Sequence, residues 1–309
     1  MAVLEVHNLK KSFGTNHAVK DISFTVKPGE VFTIIGPNGA GKTTTLEMIE
    51  GLVDPDQGDI LFGELNWKQH SVQIKKMIGV QPQTSAMFDL LTPEENLDLF
   101  ATFFDKAKST EEILQLVNLT DHRKSHVKKL SGGQRQRLAI GLAMISDPDI
   151  IFLDEPTTGL DPQARRNIWD IVLELKKLGK TIILTTHYME EAEKLSDRVC
   201  IVDSGLIVTL DTPTALIGQL TKEREVRLSF TDNEAAAMDA EKLAENLESV
   251  SRIEREGTAL KVWSESPEDL LYDLFKFTKE KEYQVDQISI HEMSLEDVFI
   301  AFTGKEWRD

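Results

Sequence analysis

The sequence predicts a doubly wound α/β core over residues 1–220, with an antiparallel edge sheet and a helical insertion, then a small α+β domain over residues 221–309. Three observations carry this reading. Val31-Phe32-Thr33-Ile34-Ile35 is an apolar, β-branched run that reads as a buried parallel strand, and a glycine-rich loop joins it to the helical stretch Thr43–Ile49. Two more such runs, Ile150–Leu153 and Thr181–Leu184, flank a helix expected at 163–178, the alternation that builds a parallel sheet. After residue 220 the order becomes strand, helix, two strands, helix, strand, the βαββαβ pattern of ferredoxin-like domains.

The elements follow in order. Residues 3–6 and 22–26 alternate apolar with polar, as half-buried antiparallel strands do, and Pro28-Gly29 closes the second of them. Ile60–Phe62 and Ile78–Val80 read as short strands. A helix is expected from Thr92 to Phe104: Pro93 suits its first turn, and Glu94 and Glu95 sit near the positive end of its dipole. Helices at 111–117 and 132–145 complete an insertion over 92–146. Thr221-Lys222-Glu223-Arg224-Glu225 reads as a charged joint. Beyond it, strands are expected at 226–230, 250–255, 259–263 and 285–290, and helices at 234–247, 267–280 and 294–303.

Bulk properties narrow the function. At 309 residues the chain exceeds one comfortable core, and 40% hydrophobic with 28% charged residues is ordinary globular composition. A net charge of −17 argues against a nucleic-acid partner and against adsorption on anionic lipid. Met1–His7 lacks the apolar stretch of a signal peptide, and no run approaches the length of a membrane span. The expectation is a cytosolic chain that reaches a membrane only through a partner. The one cysteine, Cys200, excludes an internal disulfide and reads as a small core residue.

Gly36-Pro37-Asn38-Gly39-Ala40-Gly41-Lys42-Thr43, followed by Thr44, obeys G-x-x-x-x-G-K-[ST] between a strand and a helix. The glycines let backbone N–H groups turn inward to a phosphate, and the helix N-terminus adds partial positive charge. Lys42 is expected to reach the β- and γ-phosphates of ATP, and the Thr43 hydroxyl to ligate Mg²⁺. Asp154 and Glu155 end an apolar strand, at the edge where open α/β sheets place ligands. Asp154 is expected to hold Mg²⁺, and Glu155 to orient or deprotonate the attacking water. Gln83 follows a strand and a proline bend and can touch both metal and water; Gln81 competes for that role. His187 closes the strand at 181–186 and can donate to the γ-phosphate, and Phe13 can stack on adenine.

A second anion site opens a helix at Leu130-Ser131-Gly132-Gly133-Gln134, where Ser131 has capping chemistry and two glycines expose backbone N–H groups. It makes sense as the cover for a γ-phosphate held by another copy facing head to tail, so that ATP cements an interface and hydrolysis releases it.

This ordered set resembles the ATP-binding subunit of ABC transporters, built on a P-loop NTPase core, across essentially all of residues 1–220. The resemblance implies that Gln83 lies in the Q-loop, Ser131 to Gln134 form the signature, and His187 is the switch histidine. It implies that Thr158-Gly159-Leu160-Asp161 is the D-loop, whose Asp161 contacts the opposite site; Thr158 stands where serine is common, and Phe13 where tyrosine is common. Ser294-Leu295-Glu296-Asp297-Val298-Phe299 with Phe302-Thr303-Gly304 is similar to the ending of daunorubicin-exporter-type subunits. In that branch the membrane domain is a separate polypeptide, and substrates are drugs, antibiotics, peptides or lipids.

The implied protein is an exporter's ATPase at the cytoplasmic face of the membrane. Its partners are a second ATP-binding subunit and an integral-membrane subunit docked near Gln83 and the helix at Pro93, with Glu94 and Glu95 at the contact. An importer subunit stays open, because the core does not encode direction. A ribosome- or DNA-acting relative fits worse: no sustained heptads separate Lys42 from Leu130, and the charge has the wrong sign. A non-hydrolysing regulator would lack Glu155, His187 or a signature glycine.

Overall fold

The computed structural model describes residues 3–83, 87–220, 223–231, 234–291 and 293–305. These fall into two units, one running to Pro213 and including the chain from Phe302 onward, the other Thr214–Ala301.

The first unit carries β1 (Leu4–Phe13), β2 (Asn16–Val26), β3 (Val31–Ile35), β4 (Gln57–Phe62), β5 (Leu65–Asn66), β6 (Ile78–Gln81), β7 (Ile150–Asp154), β8 (Thr181–Thr186), β9 (Arg198–Asp203) and β10 (Leu206–Asp211). They join in the order β5-β4-β1-β2-β10-β9-β3-β8-β7-β6. Its helices are α1 (Lys42–Ile49), α2 (Trp67–Met77), α3 (Pro93–Ala101), α4 (Thr110–Leu116), α5 (Gly132–Ala143), α6 (Pro162–Lys177) and α7 (Met189–Leu195), and α8 (Pro213–Ile217) starts at Pro213 and runs into the second unit. As expected, the first strands pair antiparallel, with Leu4 opposite Val26, while β3, β8, β7 and β6 run parallel.

Alternation along the parallel strands splits their side chains between two cores. Phe32, Ile34, Ile150, Phe152 and Ile183 pack with Leu46, Met48 and Ile49 of α1 and with the apolar residues of β1, β2 and β4. Val31, Ile151, Leu153, Ile182 and Leu184 face the other way, onto Leu138, Ile168, Trp169, Val172 and Leu175 of α5 and α6. Each buried aliphatic side chain contributes about 2 kcal/mol, so β3, β7 and β8 are held from both faces. Their register then sets the site. Ile35 lies opposite Thr186, Asp154 opposite Thr185 and Gln81 opposite Leu153, so the loops leaving β3, β8, β7 and β6 emerge side by side.

The edge strand of this row sits tightly against α5. A Cβ on Gly79 would stand 2.1 Å from the Ala143 carbonyl oxygen and 2.7 Å from Pro148 Cγ. Backbone cannot yield as a flexible side chain can, so Gly79→Ala is expected to cost about 3 kcal/mol, read as a lowered urea midpoint at unchanged slope.

The second unit holds β11 (Arg224–Phe230), α9 (Glu234–Ala244), β12 (Val250–Glu256), β13 (Ala259–Ser264), α10 (Pro267–Glu280), β14 (Val285–Ile290) and most of α11 (Leu295–Thr303). Its strands order as β12-β13-β11-β14, every neighbour antiparallel. Each helical crossover therefore skips one strand, the split-βαβ arrangement. Val226, Leu228, Phe230, Leu260 and Val262 meet Ala236, Ala237, Ala240 and Ala244 of α9, whose small side chains let the helix lie close to the sheet. Of the expected charged joint, Thr221 and Lys222 lie outside the described residues, and Arg224 and Glu225 already belong to β11. The alternation Val226, Leu228, Phe230 buried against Arg227 exposed draws the strand back to Arg224.

Candidate nucleotide-binding site

The loop after β3 is shaped by glycine. Gly41, at the N-cap of α1, has φ of 100° and would place a Cβ 2.4 Å from the Ala18 carbonyl oxygen, so both conformation and space exclude a side chain. Lys42, the first helical residue, is buried; its Nζ donates to the Gly36 carbonyl at 2.9 Å and the Pro37 carbonyl at 3.3 Å and lies 3.5 Å from Glu155 Oε1. Burial holds its pKa below the ordinary lysine value, against the pull of the Glu155 carboxylate.

Thr185, one strand over, fixes both acids. Its hydroxyl donates to Asp154 Oδ1 and accepts from the Glu155 N–H at 3.0 Å, while its carbonyl accepts from the same N–H at 3.2 Å. Thr43 Oγ1 also donates to Asp154 Oδ1, at 3.3 Å. Burial, then the neighbouring Glu155 charge, push the Asp154 carboxyl above its usual range, although both hydroxyls and Lys42 oppose this. Glu155 has φ of 45°, a left-handed conformation unusual for a side-chain-bearing residue and of the kind that clusters at functional sites. Its Oε2 accepts from Thr158 Oγ1 at 3.0 Å and lies 3.4 Å from His187 Nδ1, within ion-pair distance but without hydrogen-bond alignment. The His187 ring rests on Tyr188, centroids 4.2 Å apart.

A cleft of about 260 Å³ opens above the loop, lined by Phe13, Asn16, Ala18, Asn38, Gly39, Gly41, Lys42, Thr43, Thr44, Gln83 and Glu155. Phe13 is half exposed there, under the Lys11 ammonium. The two glutamines part company: Gln83 lines the cleft, whereas Gln81 is buried, donating to the Pro82 carbonyl at 2.7 Å. Ser131 caps α5 as expected, in a capping box with Gln134, and Gly133 packs where a Cβ would stand 2.8 Å from that of Ala164. None of Ser131, Gly132, Gly133, Gln134 and Asp161 lines the cleft; Asp161 caps α6, accepting from the Ala164 N–H at 2.9 Å. Glu94 and Glu95 are occupied internally. Glu94 takes a forked contact from Arg123, at 2.6 and 3.4 Å, and Glu95 closes the capping box with Thr92.

Sequence reasoning passed over Thr185 and Glu191. Fully buried, Glu191 accepts from Thr157 at 3.1 Å and Trp169 Nε1 at 2.9 Å, tying the segment after Glu155 to α6 and α7. It also passed over Glu50, buried at the end of α1 with Oε1 unpartnered, whose pKa burial and then Asp154 push from 4.5 to about 8. The sign is fixed: an unfolded chain loses this proton first, so stability falls as pH climbs from about 4.5 to about 8. Glu50→Gln is expected to flatten that fall and raise Tm most at pH 8, measured by thermal melts across that window.

Fold and cleft together define a P-loop NTPase whose loop lysine, Thr43 and Glu155 line one pocket. Residues 19–158 match the family model described as ABC transporter. Linearmycin resistance ATP-binding protein LnrL of Bacillus subtilis is 34% identical over 312 residues, covering 99% of this chain and 100% of that protein. Nod factor export ATP-binding protein I of Ralstonia nicotianae is 36% identical over 312 residues, covering 99% and 95%. Among solved structures, the dimeric post-hydrolysis state of the ATP-binding cassette MJ0796 bound to ADP and Pi aligns with a TM-score of 0.61 and 28% identity, over 68% of this chain and 98% of that one. The chain belongs to the ABC transporter family and is an ATP-binding subunit, an ABC ATPase. Cassettes of this family dimerise and work with membrane subunits.

Proposed function

We propose that the chain powers an exporter: it pairs head to tail with a second copy or a similar subunit, and each signature covers the ATP held by its neighbour's phosphate loop. The observation behind this is the split site. Lys42, Thr43 and Glu155 line one cleft, while Ser131 to Gln134 and Asp161 lie off it, leaving the γ-phosphate side to another chain. Phe13 stacks on the base, Gly36 to Thr44 cradle the phosphates, and Lys42 neutralises them. Glu155 takes a proton from the attacking water, Gln83 orients that water, and His187 donates to the γ-phosphate.

The residues present suit Mg²⁺. Thr43 Oγ1 and Asp154 Oδ1 offer hard oxygens 3.3 Å apart, and a cation would offset the burial and the Glu155 charge that push the Asp154 carboxyl above its usual range. Two protein oxygens fit an ion that completes its shell with water and substrate phosphate; among the described residues no larger His, Cys, Asp or Glu cluster exists. When bound, Mg²⁺ would neutralise charge on the transferring phosphate.

Export is favoured by the names of the relatives, one a resistance protein and one an export protein. Among the described residues no helix is long and apolar enough to cross a membrane. On the exporter reading the pathway belongs to a membrane partner, with this chain on its cytoplasmic side. Glu94 and Glu95, held by Arg123 and Thr92, suit docking less than the neighbouring groove of Val72, Phe103 and Phe104, flanked by Lys75, Lys76 and Lys106. A photo-crosslinking residue at Phe103, in cells that naturally make this chain, is expected to capture a multi-spanning membrane protein. Adducts with soluble proteins alone would contradict the partner assignment.

A further inference from the structure

Gln134 holds the start of α5 with its side-chain oxygen. Ser131 N donates to Gln134 Oε1 at 2.9 Å, and Gln134 N donates to Ser131 Oγ at 3.3 Å. The other end of that amide, Nε2, lies 2.8 Å from Nε2 of the half-buried His122, which closes the turn Thr120–His122. A main-chain N–H can only donate, so Oε1 must face Ser131 and the NH₂ group must face the imidazole. His122 Nε2 therefore accepts, which places the ring proton on Nδ1.

From these contacts we propose that His122 is a positioning residue for the signature: its Nε2 acceptor locks the Gln134 amide, and through it the capping box that presents Ser131 and the first N–H groups of α5 to the opposite subunit. The inference rests on the head-to-tail reading above. Without an acceptor at His122, the amide is held at its Oε1 end alone, and its part-buried NH₂ group must rotate to find another partner, a motion that draws Oε1 from the Ser131 N–H and opens the box. An open box loosens the first turn, where the orphan N–H groups of the helix lie. Because His122 and Gln134 do not line the cleft, nucleotide binding by a single chain is left alone, and the loss falls on the interface.

The test uses the purified full chain carrying Glu155→Gln, with MgATP, and reads dimer dissociation by analytical ultracentrifugation. Adding His122→Leu, which has no acceptor, is expected to weaken the dimer about tenfold, the order of a lost N-cap. Adding His122→Gln, whose amide oxygen can stand where Nε2 stood, is expected to restore the parent value. ATP affinity of the single chain, measured by equilibrium dialysis at dilution, is expected to be the same in all three. The proposal is overturned if His122→Leu dimerises like the parent, if His122→Gln is as weak as His122→Leu, or if single-chain ATP affinity falls in step with dimerisation. A parent that stays monomeric removes the head-to-tail reading itself, and the proposal with it.

Discussion

Glu155→Gln is expected to lower ATP turnover about a thousandfold while leaving ATP binding intact. The side chain is placed by three constraints that survive the substitution: the left-handed backbone at residue 155, the two contacts of its N–H with Thr185, and the Thr158 hydroxyl. What the amide loses is the capacity to take a proton from water. It also loses the negative charge 3.5 Å from Lys42 and 3.4 Å from His187, so the variant carries less repulsion toward a triphosphate. ATP should therefore accumulate unhydrolysed at the subunit interface. Phosphate release under saturating MgATP measures the first effect, and retained nucleotide after gel filtration the second. Turnover equal to that of the parent would take Glu155 out of the chemistry.

Lys42→Ala is expected to weaken ATP binding at least about a hundredfold, the scale of losing charge-assisted hydrogen bonds to phosphate in a buried setting. The lysine is the buried cation facing Asp154 and Glu155, and without it the cleft is negative. A triphosphate then meets two carboxylates with only backbone dipoles to offset them. Removing the lysine also leaves Asp154 and Glu155 without their buried cation, so the variant is expected to be less stable than the parent. Isothermal titration with ATP in the presence of Mg²⁺ gives the affinity, and the far-ultraviolet spectrum checks the fold. Binding as tight as in the parent would mean that Lys42 serves the loop, through the Gly36 and Pro37 carbonyls, rather than the nucleotide.

Much of this was legible in the sequence because the signals were local. The uninterrupted runs at 31–35, apolar but for Thr33, and at 150–153 can only be satisfied between two cores, and the structure buries them from both sides. Pro93 and the acids after it placed the start of α3, and the capping chemistry of Ser131 placed that of α5. Strands β9 and β10 were passed over although Ser204-Gly205, both at positive φ, mark the turn between them. Helix α2 was passed over because few of its residues are apolar and only Ile74 is buried, so it leaves almost no periodic stripe.

The site was legible where one residue type has one chemistry, and illegible where a partner decides. Gln81 and Gln83 have the same side chain two positions apart, and only the bend at Pro82 sends the second into the cleft. Glu94 and Glu95 looked available because sequence cannot reveal Arg123, distant in the chain, reaching back to one of them. Thr185 and Glu191 gave no signal, since their roles exist only through register and burial across elements far apart in sequence. The His122 contact with Gln134 belongs to the same class.

The nucleotide is expected to lie between two chains, with the phosphate loop of one against the signature of the other. Cys200 is fully buried and the sole native cysteine, so introduced thiols can be read without background. Chains carrying Asn38→Cys and Glu155→Gln are mixed with chains carrying Ser131→Cys and Glu155→Gln, then treated with a short bifunctional thiol crosslinker. A crosslinked heterodimer is expected to form with MgATP and to fade without nucleotide. Equal crosslinking with and without MgATP, or none in either, would contradict it.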